Sequence, residues 1–544
     1  MSIYRRDLFI IFALTLLVRI LAALPQTQPN YMDAAYYTVG GQRLAQGYGF
    51  TDPYVWNYLD QPTTLPHPSH LYWMPLPSIL VGASQSIFGV TYRAAQVPFI
   101  VLSALLPLIA YSIAWQLSAK RRHAWLAALL TIFSAFYWPY WGVPESFAPF
   151  AVFGSLALVL GSRQGDNLTP RYSGRASRET PKQGILTAPL AGVCVGLAHL
   201  SRADGFLLLI PVLIDAERGA RRAEGGLLRR RFSLHPSALV PVFLGYLLVM
   251  TPWFIRNLGV IGAPLSSAGT QAAWVCNYDE LFSYGVRFDV SHLIGCGLAQ
   301  ILAAKINGVL AGLVHLGVEN GLVFLALPIA LGLWQTRRHA LIRGALIYLG
   351  LVFGVMTIVF TFAGDRGGLF HSTSALLPFF YTAAPIGLDS LIGWIAMRRR
   401  TWHAARARSI FGVALVGMAL MLSLIVWRGR VIGPDAADPA WNQSDRVYRP
   451  ITQWFSDRGE QASIVMVNSP PEFYYHTGLQ SIVIPIGSVA TLLQAADRFG
   501  ARWLLIDQAQ TRSLGGFDVD HALSIRLRRT MDFGDLALYQ ITQP

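Results

Sequence analysis

Residues 95–117 read AQVPFIVLSALLPLIAYSIAWQL, an apolar run closed by Lys120, Arg121 and Arg122. A helix of about 20 residues covers a hydrocarbon core of about 30 Å, so this stretch is long enough to cross a membrane. Similar segments occur at 8–24, 124–141, 147–161, 185–200, 203–215, 236–254, 317–335, 341–362, 372–396 and 409–427, which makes about eleven predicted spanning helices. Composition agrees. Of 544 residues, 53% are hydrophobic and only 13% charged, against about 25% charged in soluble domains. The predicted fold class is an α-helical polytopic membrane protein.

Basic residues concentrate in alternate connections: Arg5 and Arg6, Lys120 to Arg122, the stretches 162–184 and 215–235, Arg337, Arg338 and Arg343, and the stretch 398–408. The formal charge of +14 thus follows the positive-inside rule and forms no basic binding face, so nucleic acid is not an expected partner. The bias predicts a multi-pass cell-membrane protein with a cytoplasmic N-terminus. Arg5 and Arg6 before an apolar stretch resemble a signal peptide, but Arg19 interrupts the apolar core, and the segment reads as an uncleaved first helix.

Residues 71–89 are apolar enough to span, yet counting them would place every later basic cluster outside. Pro75 and Pro77 also interrupt a continuous helix there. They are expected to lie along the outer surface, within a long first outer loop from 25 to 94, with a similar amphipathic stretch at 290–315. The transmembrane domain is expected over 1–427. Beyond it, strand-like runs at 463–468, 481–486, 503–506 and 536–541 alternate with helical stretches at 445–458 and 488–499. This predicts a small extracytoplasmic α/β domain over 428–544. Of three cysteines, Cys194 falls in a membrane run, whereas Cys276 and Cys296 lie outside and are free to pair or not.

On this topology polar residues gather on the outer side. Asp33 lies in Tyr31-Met32-Asp33-Ala34-Ala35-Tyr36-Tyr37. His67 and His70 lie in Pro66-His67-Pro68-Ser69-His70-Leu71-Tyr72-Trp73. Glu145 follows Trp141-Gly142-Val143-Pro144. Arg202 and Asp204 lie in Leu200-Ser201-Arg202-Ala203-Asp204-Gly205, Arg256 in Pro252-Trp253-Phe254-Ile255-Arg256-Asn257, and Arg366 and His371 at a further tip. Taken singly, each has an ordinary use: Glu145 as a charge at a helix start, Arg202 with Asp204 as an ion pair, Arg256 as a headgroup anchor. Taken together, they describe a site for an anionic, lipid-attached substrate, with arginines for phosphate and a carboxylate for a hydroxyl proton.

These motifs, in this order and on this side, resemble the GT-C superfamily of integral-membrane glycosyltransferases, and especially its protein O-mannosyltransferase and aminoarabinose-transferase branch. Asp33 to Tyr37 resembles an Asp-Glu-Ala-Tyr-Tyr motif. His67 to Trp73 resembles a Lys-Pro-Pro or His-Pro-Pro element followed by Leu-x-Tyr-Trp. Leu200 to Gly205 and Pro252 to Asn257 match two further turns. The resemblance covers residues 1–390 and implies an inverting hexosyltransferase that moves a sugar from a polyprenyl-phosphate donor to an acceptor hydroxyl on protein, lipid or glycan. It makes Asp33 the general base, helped by Glu145, with Arg202 and Arg256 on the donor phosphate. It assigns Tyr36, Tyr37, His67, His70, Tyr72, Trp73, Asp204, Arg366 and His371 to substrate binding. The chain departs from the family at Ala34 and Ser69. Losing the carboxylate beside Asp33 weakens the case for a divalent metal, although His67, His70 and Glu145 offer ligands. The alternative is a transporter or flippase of lipid-linked sugars, which would place its polar groups at mid-membrane on broken helices.

Overall fold

A computed structural model describes residues 3–165, 182–223, 235–399, 401–507 and 526–542. Most of the basic stretches 162–184 and 215–235 lies outside the described residues. The helices of the N-terminal part are α1 (Ile3–Ala23), α2 (Met32–Ala45), α3 (Leu76–Phe88), α4 (Tyr92–Ser118), α5 (Arg121–Ile132), α6 (Phe147–Gly165), α7 (Lys182–Ser201), α8 (Leu209–Ala223) and α9 (Pro236–Ile261). They are followed by α10 (Ala268–Gln271), α11 (Val290–Gly295), α12 (Leu298–Val314), α13 (Ala326–Thr336), α14 (Ala340–Gly354), α15 (Gly368–Thr373), α16 (Leu377–Arg398) and α17 (Ala404–Trp427). Among the described residues six helices are long and apolar enough to cross a membrane by length and composition. The protein is a membrane protein.

Local chemistry explains where the helices stop. The predicted span 124–141 is helical only to Ile132, and residues Ala135–Tyr140 form a tight 3₁₀ turn containing Pro139. The carbonyls freed there are met by Arg19, the charge that interrupts the first apolar run. Its guanidinium donates to the carbonyls of Ile132 (3.1 Å) and Thr131 (3.3 Å) and lies over the Trp141 ring. Pro75 and Pro77 mark the start of α3, where a missing N–H costs nothing. Residues 290–315, expected as a surface amphipath, instead hold α11 and α12. The second of these continues through a wide turn to Asn320 and meets the length and hydropathy of a span.

Small residues let the helices touch. A Cβ on Gly192 of α7 would fall 2.0 Å from the carbonyl oxygen of Val242 in α9, and one on Gly245 would fall 2.0 Å from that of Pro189. The two backbones are therefore in reciprocal contact, as in membrane helix pairs generally. Such contacts hold the bundle rigid beneath its loops.

The C-terminal part carries α18 (Gln443–Asp457), α19 (Pro470–Thr477) and α20 (Val489–Phe499). In chain order the strands are β1 (Thr51–Asp52), β2 (Tyr54–Val55), β3 (His67–Pro68), β4 (Ile464–Val467), β5 (Ser481–Val483), β6 (Ala501–Asp507), β7 (Leu527–Phe533) and β8 (Leu536–Ile541). β1 and β3 form a small antiparallel ribbon, pairing Asp52 with His67. The other six make one sheet in the order β2-β5-β4-β6-β8-β7. Its edge strand comes from the first loop: Tyr54 pairs with Ser481 and Val55 with Ile482. The helix α19, from the segment Asn468-Ser469-Pro470-Pro471, packs its Tyr474 and Tyr475 into the aromatic cluster of α2. The two parts share a sheet and a core.

Candidate active site

Asp33 sits in the first turn of α2, where the helix dipole favours a carboxylate. Glu145 sits in the turn between the 3₁₀ segment and α6. His371 is carried by α15, whose start at Gly367 takes a left-handed backbone (φ 82°) suited to glycine. These three residues, distant in sequence, bring their ligand atoms within 4.8 Å of one another. Glu145 Oε1 lies 3.1 Å from His371 Nδ1 and accepts from Ser146 Oγ at 2.8 Å. Its other oxygen accepts from Tyr31 OH at 3.2 Å. The His371 ring stacks on Phe147, centroids 4.0 Å apart, which fixes its plane.

The two carboxyl groups differ in their chemistry. Burial and the nearby charge of Glu145 push the Asp33 carboxyl up to about 6, against the pull of His371 and Arg202. Burial also acts to raise Glu145, but His371, Ser146 and Arg202 outweigh it and hold that carboxyl below its ordinary value. One group stays ionised; its partner titrates close to neutrality, the position a general base needs.

Arg202 and Arg256, paired by their motifs, stand in different surroundings. Arg202 lends Nε to Asp204 at 3.0 Å, and its Nη groups make no hydrogen bond among the described residues. Asp204 is held in turn by Ser372 Oγ at 2.5 Å. Arg202 thus presents an open fork beside the carboxylates. Arg256 commits Nη1 to Asn257 (2.9 Å) and Nη2 to the Phe50 carbonyl (3.1 Å), between the rings of Phe50 and Trp253. Its electrostatic neighbours are Tyr36 and Asp52.

The histidine that joins the carboxylates is His371; His67 and His70, the ligands expected from the first loop, are engaged elsewhere. His67 Nε2 is 2.8 Å from the Tyr54 carbonyl oxygen, and His70 bonds Ser69 and Ser78 through its two nitrogens. Both brace the loop. Tyr36 accepts the His70 backbone N–H at 2.7 Å and meets Trp73 at 4.9 Å. Trp73 stacks on Trp56 at 4.0 Å, Tyr37 meets Trp73 at 6.1 Å and Tyr72 meets Trp56 at 5.2 Å, so these rings form a continuous wall. Arg366 lies over the Tyr278 ring at 4.9 Å. Tyr31, Ser146, Ser372 and Trp56 were not singled out by sequence. Ser146 and Ser372 directly follow Glu145 and His371, and that adjacency is the only signal they carry.

Two carboxylates and one imidazole make an oxygen-rich donor set that fits a divalent cation such as Mg²⁺, Mn²⁺ or Zn²⁺. The second such group among the described residues is Cys276, His292 and Cys296. Its two sulfurs are joined to each other as a disulfide.

The fold is shared with solved structures of ArnT and of the oligosaccharyltransferase AglB. The chain superposes on ArnT from Cupriavidus metallidurans in the apo state with a TM-score of 0.58 at 11% identity, covering 99% of this chain and 98% of that one. Against the same enzyme bound to undecaprenyl phosphate the values are 0.53, 13%, 98% and 97%. Against the oligosaccharyltransferase AglB from Archaeoglobus fulgidus, in complex with an inhibitory peptide and a dolichol-phosphate, they are 0.51, 11%, 93% and 70%. No protein-family profile and no curated protein matches the sequence.

Proposed function

We propose that this protein transfers a sugar from a polyprenyl-phosphate-linked donor to an acceptor hydroxyl at the outer face of the membrane. The observation that carries this reading is the meeting of Asp33, Glu145 and His371 beside the open fork of Arg202. The likeness to ArnT bound to undecaprenyl phosphate and to AglB bound to a dolichol-phosphate supports a lipid phosphate as the common ligand.

In the proposed reaction the acceptor oxygen attacks the anomeric carbon while its proton passes to the Asp33 carboxylate. The bond from that carbon to the phosphate oxygen breaks, and the electron pair leaves with the polyprenyl phosphate. The anomeric centre inverts. Charge grows on the departing phosphate, where the Nη groups of Arg202 offer two parallel donors. Glu145, kept anionic by His371 and Ser146, orients the acceptor and sustains the basicity of Asp33. Arg256, with both Nη groups committed, serves by holding Phe50 and the first loop in place. A divalent cation held by Asp33, Glu145 and His371 would supply Lewis acidity toward the phosphate.

Purified protein is to be given a panel of polyprenyl-phosphate sugars with extracts containing protein, lipid and glycan acceptors. Release of polyprenyl phosphate with transfer of label, lost in Asp33→Asn, is the expected result. Absence of transfer from every donor, or undiminished transfer by Asp33→Asn, overturns the reading.

A further inference from the structure

A cavity of about 270 Å³ opens between the loop after α10, the helix α12 and the turn before α15. Its volume falls just below the roughly 300–1,000 Å³ of drug-sized sites, the size for one compact ring. Both walls are fixed. The Cys276–Cys296 disulfide closes the loop, and Glu280 accepts the Cys276 backbone N–H at 2.8 Å. Thr361 Oγ1 donates to the Val275 carbonyl at 2.6 Å, and Lys305 Nζ donates to the carbonyls of Val359 (3.0 Å) and Phe360 (2.8 Å). These ties join the segments that flank the cavity.

Its lining combines two kinds of group. Tyr278 and Phe362 present aromatic rings, 5.7 Å apart and steeply inclined. Gln300, Asn307 and Asp365 present planar amides and a carboxylate that make no side-chain hydrogen bond among the described residues, and the only described contact of the Arg366 guanidinium is with the Tyr278 ring. Flat polar groups match vicinal hydroxyls, and an aromatic face matches the C–H face of a pyranose or furanose. Asp279 and Asp365 offset Arg366, so the lining is poorly suited to a phosphate. Packed rings link the cavity's Tyr278 to the aromatic wall. Tyr278 and Tyr72 pack in one apolar cluster, Tyr72 belongs to the aromatic wall, and Asp33 is an electrostatic neighbour of both tyrosines.

We infer that this cavity, bounded by Tyr278, Gln300, Asn307, Phe362, Asp365 and Arg366, is a saccharide subsite that receives a sugar ring of one of the two substrates. The inference deepens the transferase reading by naming the ligand chemistry of this cavity, and it rests on that reading only for the identity of the substrates.

The test uses the full-length protein in lipid nanodiscs and a panel of free saccharides: neutral hexoses and pentoses, N-acetylhexosamines, amino sugars and their disaccharides. Saturation-transfer NMR is expected to detect binding of at least one of them. Asn307→Ala and Arg366→Ala are each expected to weaken that binding by about tenfold, the loss of one good hydrogen bond. Undecaprenyl phosphate binding should not change in either variant. No binding by any saccharide, or equal binding by both variants and the parent, overturns the inference. In a transfer assay a raised KM for the acceptor in these variants assigns the ring to the acceptor, and a raised KM for the lipid-linked sugar assigns it to the donor. Saccharide binding that needs Asn307 and Arg366, in a protein that transfers nothing from any lipid-linked sugar, upholds the subsite and removes the transferase reading.

Discussion

Carboxylates sit at both ends of the helical bundle, but the two ends treat them differently. At the end away from the first loop Asp389, Asp7 and Asp215 are each paired with arginine. Asp389 is met by Arg122, by His123 at 2.8 Å, by Lys120 at 3.7 Å and by Arg408 at 3.8 Å. Asp7 receives two bonds from Arg121, at 2.6 and 2.8 Å, with further donors from Tyr111 and Trp125. Asp215 is paired with Arg343. At the loop end Asp33 and Glu145 share His371 and Arg202, and Arg202 is also shared with Asp204. Saturated acids lock helices together. Under-neutralised acids remain free to take up a proton, a cation or a substrate, and only a functional demand repays keeping them buried.

The largest effect that bears on this contrast is expected from Asp33→Asn. General base catalysis contributes about 10²–10⁴-fold, so kcat for sugar transfer should fall by that order while donor binding survives. The pH profile adds a second arm. A carboxyl raised to about 6 is protonated below that pH. Turnover should therefore be full above it and decline as pH falls through about 6, with no such limb in Asp33→Asn. Normal turnover by the variant at saturating substrates would erase the distinction between the two ends.

His371→Ala comes next. It removes the group that keeps Glu145 anionic, and loss of an orienting partner typically costs about 10–100-fold in activity or metal affinity. Parallel measurement of turnover and of bound metal by mass spectrometry tells which of the two it supports; no change in either detaches His371 from the site. Arg202→Ala should then weaken polyprenyl-phosphate binding by about tenfold or more, as loss of a charge-assisted hydrogen bond does. Lys should rescue only part of it, lacking the planar fork. Arg256→Ala should cost less donor affinity than Arg202→Ala. Equal losses would mean that the committed Nη groups of Arg256 turn to the ligand after all. The smallest effect on chemistry belongs to Asp389→Asn, which should lower the apparent melting temperature in detergent and leave turnover per folded molecule unchanged.

Much of this arrangement is legible in the sequence because charge inside a membrane protein is costly and so must be placed with purpose. Asp33, Glu145, Arg202 and His371 stand out as isolated polar residues beside apolar runs. The strands of the C-terminal part, such as Ile464–Val467 and Ala501–Asp507, are visible from their apolar runs and Gly-rich or polar borders. What the sequence hides are choices made in three dimensions. Nothing in the spacing of His67, His70 and His371 says which imidazole meets a carboxylate, since all three follow a loop. Arg202 and Arg256 read alike until Asn257 and the Phe50 carbonyl are seen to occupy one of them. Two-residue strands such as Tyr54–Val55 are too short to carry a period. The pairing of Cys276 with Cys296 depends on a loop path that local patterning does not record.

That short strand has a consequence for how the protein is made. Tyr54 leaves the ribosome long before Ser481 and Ile482, its hydrogen-bonding neighbours in the finished sheet. Until translation has passed them, the first loop carries an unsatisfied strand edge, and the helix bearing Asp33 lacks the covering rings of Tyr474 and Tyr475. The helix bearing Asp33 is thus made before the strand and rings that seat it. The candidate site is thereby left without its full cover until residues 474–482 have been made, an order of assembly set by the topology of one sheet.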